Sequence, residues 1–179
     1  MKTLTRRSLG TVIILLVFAS VSAAQQIDRL VDWQSVEPDL HAKVLKIIAI
    51  TVNQTPITTG EPFSAAEVWL DKLTFRLRNV SDKTITRFQF GLAFPEMEDS
   101  SGNSAVFPFG YNDKPKSELR KSLSPESEVE LTIPADTIAM LRMIMERRGK
   151  SQLTRANILP AVVTFADGSQ FGGVSLRKD

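Results

Sequence analysis

A chain of 179 residues with 42% hydrophobic side chains fits a single domain that buries a sizeable core. It contains no cysteine, so disulfides are excluded and packing and hydrogen bonds must hold it together. Its formal net charge is only +2, and the first seven residues supply the positive excess, so charge gives no support to nucleic-acid binding.

Lys2, Arg6 and Arg7 open the chain with no acid beside them, and Leu9 to Val21 is apolar except for Gly10, Thr11 and Ser20. Ser22-Ala23-Ala24 and the polar pair Gln25-Gln26 follow. A basic start, an apolar middle and a small-residue end predict a secretory signal peptide over residues 1–24, cleaved after Ala23 or Ala24. The apolar run is shorter than the ~20 residues a spanning helix needs, so no stable transmembrane anchor is expected after cleavage. No cysteine follows it to carry a lipid, and Arg6-Arg7-Ser8-Leu9 matches a twin-arginine signal only in part. Loss of three of the 22 basic residues against 20 acidic ones brings the remainder to about −1. Export without cysteine fits a bacterial periplasm or an extracellular location.

Residues 25–39 are polar with scattered apolar positions and read as a linker, a short helix or a covering segment; residues 40–179 form the expected single domain. Val44 to Val52 is apolar at almost every position, which predicts a strand covered on both faces. Leu73, Phe75 and Leu77 alternate with Thr74, Arg76 and Arg78, the pattern of a half-buried antiparallel strand. Asn79-Val80-Ser81-Asp82-Lys83 reads as a turn, and Phe88, Phe90, Leu92 and Phe94 alternate beyond it until Pro95. These two runs predict a hairpin. Residues 98–118 have no clear period, a length at which loops are often functional.

Val129, Leu131 and Ile133 alternate with Glu128, Glu130 and Thr132, and Pro134 closes that strand. Residues 136–148 predict a helix with Asp136 or Ala135 as N-cap and Gly149 just past the end. Val163 and Phe165 lead into Asp167-Gly168, a hairpin signal, with a return from Phe171. Pro160 belongs at a strand start or edge, because it lacks a donor.

Three pieces in this order resemble the secreted immunoglobulin-like β-sandwich modules of bacteria. They are the strand and turn Leu73 to Ile85 with its N-x-S-x-K-x-I pattern, the aromatic-rich strand after it, and the polar turn Leu123 to Leu131, in which Glu126 stands where such modules often place glycine. The resemblance implies an all-β, antiparallel immunoglobulin-like β-sandwich; the helix is an accessory to that pattern. It implies no catalytic residue.

The search for chemistry yields little. His41 is the only histidine and no Gly-x-Ser-x-Gly elbow is present, so neither a nucleophile triad nor a zinc site is indicated. Glu96, Glu98, Asp99 and Asn103 lack calcium-loop spacing and read as a solvated acidic loop. No catalytic residue, metal ligand or cofactor is assigned.

Two candidate binding surfaces remain. At ~100° per residue the apolar side chains of the helix spread over a wider arc than one sheet needs, leaving Met140 and Met143 on the flank beside Arg147. Such methionines suit a protein partner or a second copy of the chain, or else they are buried. A membrane-surface role through Arg142, Arg147, Arg148, Lys150 and Arg155 is a further reading. Phe107, Phe109 and Tyr111 alternate, as core fillers or as an aromatic ridge for an envelope polysaccharide; Trp33 and Trp69 read as core or edge fillers. The expectation is an exported, non-catalytic module with a protein-interaction or structural role in the cell envelope. A carbohydrate-binding module stands second and a hydrolase third.

Overall fold

The computed structural model describes residues 27–33, 43–99, 101–102, 104–111 and 122–172. The predicted signal peptide, His41 and residues 112–121 lie outside them. Among the described residues ten strands run in chain order: β1 (Ile27–Trp33), β2 (Leu45–Val52), β3 (Thr55–Ile57), β4 (Phe63–Ala65), β5 (Leu73–Asn79), β6 (Ile85–Glu98), β7 (Ser104–Tyr111), β8 (Glu128–Thr132), β9 (Arg155–Phe165) and β10 (Gln170–Phe171). A 3₁₀ turn (Trp69–Lys72) precedes β5, and the α-helix α1 (Ala135–Arg147) joins β8 to β9.

One sheet has the order β4-β1-β9-β6-β7, with β10 also on β9; the other has the order β3-β2-β5-β8. All pairings are antiparallel except β1 on β9. The architecture is therefore an all-β sandwich with one helix. The two sheets share one core, in which Phe75 of β5 meets Phe109 of β7 at 5.5 Å between ring centroids.

Alternation explains β5 and β8 directly: Leu73, Phe75, Leu77 and Leu131 are buried, and Arg76, Glu128 and Glu130 are exposed. The outward Arg76 and Arg78 both meet Glu128, at 3.4 and 2.5 Å. Other elements depart from the sequence reading. β5 and β6 do not form a hairpin; β5 pairs with β2 and β8, and β6 with β7 and β9. The Asn79–Thr84 turn carries the chain from one sheet to the other. β6 runs through Pro95 to Glu98, its register with β7 shifting between Ala93 and Glu98. In β2, a register shift between Ile47 and Ala49 breaks the alternation, and Lys46 is exposed, so the strand is not covered evenly on both faces.

Residues 27–33 form a strand rather than a linker. Its pattern was hidden because a core position holds arginine: Arg29 and Val31 are both buried. Pro160 sits inside β9, at a register shift opposite Phe90. On the other edge of β9, β1 stops at Ile158 and β10 starts at Val163, so a missing donor there breaks no ladder bond. The Asp167-Gly168 hairpin forms as expected, with Phe165 N–H on Ser169 O at 2.9 Å.

The switch between sheets rests on Asn79, whose side chain is fully buried. Its Nδ2 donates to Lys83 O at 2.8 Å and Leu123 O at 2.9 Å; its Oδ1 accepts from Ser81 N–H at 3.0 Å and Ser81 Oγ at 2.7 Å. Its backbone donates to Ser127 O and accepts from Glu126 N–H. Every polar group of the residue is thus satisfied, as burial requires. Ile85 and Leu123 then exchange two backbone bonds of 3.0 and 2.8 Å. Lys83 closes the motif outward, with its Nζ 2.7 Å from Asp167 and 5.5 Å from the centre of the Phe165 ring.

Asn79→Ala removes one donor from each of the Lys83 and Leu123 carbonyls, takes the acceptor from the Ser81 N–H and empties a buried site, so a loss of about 2 kcal/mol is expected in urea unfolding. Glu126 adopts φ 59° in the turn closed by Ser127 N–H on Ser124 O, the left-handed region that disfavours a side chain. Glu126→Gly is expected to raise stability by about 0.5–1 kcal/mol in the same assay, since relief of strain outweighs the added chain entropy.

Candidate functional site

Helix α1 begins after Pro134, whose φ of −60° suits the cap position, and no side chain caps it. This corrects the expected cap: Asp136 lies in the first turn, where its Oδ1 accepts the Thr137 N–H at 2.9 Å and complements the helix dipole. At the other end Gly149 takes φ 63°, with its N–H on Glu146 O at 3.0 Å and the Lys150 N–H on Met145 O at 2.9 Å. This pair of closing bonds satisfies the last carbonyls and explains the glycine. Arg148 Nη1 donates to Met97 O and ties the helix end to β6.

Thr137, Ile138 and Leu141 are the buried residues of α1, and Ile144 and Met145 are half-buried. Met140 and Met143 remain 40% and 45% exposed. Spaced at i, i+3 and i+7, Met140, Met143 and Arg147 share one stripe on the outer surface. The structure therefore brings these three predicted residues together, with both methionines out of the core.

On its other flank α1 faces the 3₁₀ turn across a groove of about 310 Å³. Val68, Trp69, Leu70, Ile138, Leu141 and Met145 supply its apolar lining, and Arg142 Nη2 crosses to Asp71 Oδ2 at 2.5 Å. This groove is not legible in the sequence, because the 3₁₀ turn and the helix lie some seventy residues apart.

The aromatic candidates are placed differently. Phe107 and Phe109 are buried, against Phe94 and against Phe75 and Phe90. Tyr111 is half-buried and stacks on Phe88 at 5.4 Å with 12° between the planes, and burial pushes its phenol above the ordinary value. This corrects the exposed-ridge reading for Phe107 and Phe109, which the strand turns into the core, while Tyr111 lies at its half-buried end. Gly110 lets the strand sit there, since a Cβ at this position would come within 2.2 Å of Phe88 O. Trp69 is also core, its Nε1 donating to Leu153 O at 3.0 Å.

A buried polar cluster escaped the sequence reading. Arg29 Nη1 donates to the same Leu153 carbonyl at 2.5 Å, while its Nε and Nη2 have no partner among the described residues. Burial lowers the Arg29 pKa from its ordinary value, and the carboxylates of Glu67 and Glu96 act against that. Glu96 Oε1 accepts three bonds at the start of β9: Thr154 N–H at 2.8 Å, Thr154 Oγ at 2.5 Å and Arg155 N–H at 2.9 Å. The cluster joins β1, β6 and β9 and has the form of a structural anchor.

Among the described residues no three His, Asp or Glu side chains gather as metal ligands would, and no helix is long and apolar enough to cross a membrane. No protein-family model, curated protein or solved structure matches this chain.

Burial raises the Glu96 pKa, but its hydrogen bonds from Thr154 and Arg155 outweigh that and hold it below the ordinary 4.5. A depressed folded-state pKa gives stability that is full above about 4.5 and lost as pH falls through the folded value. Urea midpoints measured from pH 6 downward are therefore expected to fall more steeply for the wild type than for Glu96→Gln. The variant is expected to start lower at pH 6.

Proposed function

We propose that this chain is an exported, non-catalytic β-sandwich module of the bacterial cell envelope that binds a protein partner, or a second copy of itself, through the outer face of α1. The observation that carries the reading is the pair Met140 and Met143, which stay exposed while Ile138 and Leu141 on the same helix are buried. Isolated exposed apolar residues are common, but two flexible methionines on one stripe beside Arg147 make an adaptable contact surface. The helix is well placed to carry it. It is closed at its C-terminus by Gly149 and pinned by Arg142 to Asp71 and by Arg148 to Met97 O, so its outer face is presented on a fixed frame.

Export rests on the basic and apolar pattern of residues 1–24, and the non-catalytic reading on a sequence with one histidine, no cysteine and no Gly-x-Ser-x-Gly elbow. We also read the sandwich as immunoglobulin-like. In that reading β2, β5 and β8 take the places of strands A, B and E, and β7, β6, β9 and β10 those of C′, C, F and G. The change of sheet at Asn79 supports this, as does the pairing of β5 with β8 and of β6 with β9.

The test compares the purified wild type with Met140→Glu/Met143→Glu. Both sites are exposed and glutamate is about as good a helix former as methionine, so the melting profiles should differ by no more than about 1 kcal/mol in stability. The wild type should retain a defined envelope protein, or self-associate in sedimentation, and the double variant should do neither. An unchanged interaction would refute the reading.

A further inference from the structure

A second cleft, of about 480 Å³, opens between the β2–β3 hairpin and the segment running from β4 into the 3₁₀ turn. That volume falls within the roughly 300–1,000 Å³ of small-molecule sites. Its lining includes the buried Val52 and Trp69, the half-buried Ile57 and Phe63, and Val68. Phe63 meets Trp69 edge-on at 5.5 Å. The one polar group of the Trp69 indole is spent on Leu153 O, so the ring offers only apolar surface to the cleft. Val68 is 51% exposed, the most exposed of the large apolar residues described, and folding alone gives no reason for it.

The only charged residue in the lining is Lys72. It is exposed and makes no ion pair among the described residues. Its main chain is fixed, because its carbonyl accepts the Asn53 N–H at 3.1 Å and so belongs to the hairpin end. The neighbouring Asp71 is turned to Arg142, and Glu67 lines the groove beside α1 instead. An apolar hollow with one unpaired cation at its rim is complementary to an apolar tail that carries one negative charge.

We infer that this cleft binds a medium-chain carboxylate, with its alkyl chain against Trp69, Phe63 and Val68 and its head group at Lys72. No residue of α1 lines the cleft, so this inference stands or falls apart from the helix surface.

Calorimetric titration of the purified protein with octanoate, hexanoate and 1-octanol tests it. One octanoate should bind per chain, and each methylene removed should weaken binding about fourfold. Lys72→Glu should weaken octanoate on the order of tenfold and leave 1-octanol unchanged, separating head-group recognition from apolar uptake. Val68→Glu lies at an exposed position and should weaken both ligands without moving the melting temperature. The inference is overturned if octanoate gives no saturable heat, if Lys72→Glu affects both ligands alike, or if Val68→Glu affects neither.

Discussion

Much of the fold hangs on one buried amide. A sandwich must pass the chain between its sheets, and at each crossing the backbone leaves its ladder and exposes unpaired groups to the core. Asn79 meets this at the crossing from β5 to β6 with two donors, one acceptor oxygen used twice, and its own backbone pair. An apolar residue would take one donor from each of the Lys83 and Leu123 carbonyls and the acceptor from the Ser81 N–H, and a charged one would leave a charge unpaired in the core. The consequence reaches three other places. Leu123 is held against Ile85, the Ser124–Ser127 turn is set for β8, and Lys83 meets the β9–β10 hairpin at Asp167.

That constraint makes sense of the N-x-S-x-K-x-I pattern. The asparagine is the buried hub, the serine fills its oxygen, the lysine reaches across to Asp167 and Phe165, and the isoleucine is fully buried at the start of β6. The motif is a joint between sheets, which a reading based on strand alternation takes for a hairpin turn. Both give two alternating runs around a polar turn, and only long-range pairing tells them apart.

Other parts were legible where local physics decides. β5 and β8 show strict alternation because one face meets water, and α1 shows its limits because glycine is needed at φ 63°. What was not legible depends on distant partners. β1 hides a core arginine whose partner comes from residue 153, β2 hides an irregularity, and Pro160 sits beside a register shift of β9 that only the pairing reveals. The same division holds for the surfaces. Helical geometry put Met140 and Met143 on one flank of α1, and only the packing shows that the flank is exposed. Phe107 and Phe109 could not be assigned a side, because alternation shows that two residues share a face but not which face is buried. The two hollows beside Trp69 depend on a 3₁₀ turn that carries no periodic signal.

The joint at Asn79 is buried with every polar group bonded, and amide-resolved native-state hydrogen exchange tests its central place directly. The amides of Asn79, Ile85, Leu123 and Glu126 should exchange only through global unfolding, with protection no lower than that of α1. The reverse order, with the Asn79 amides opening below α1, would contradict it.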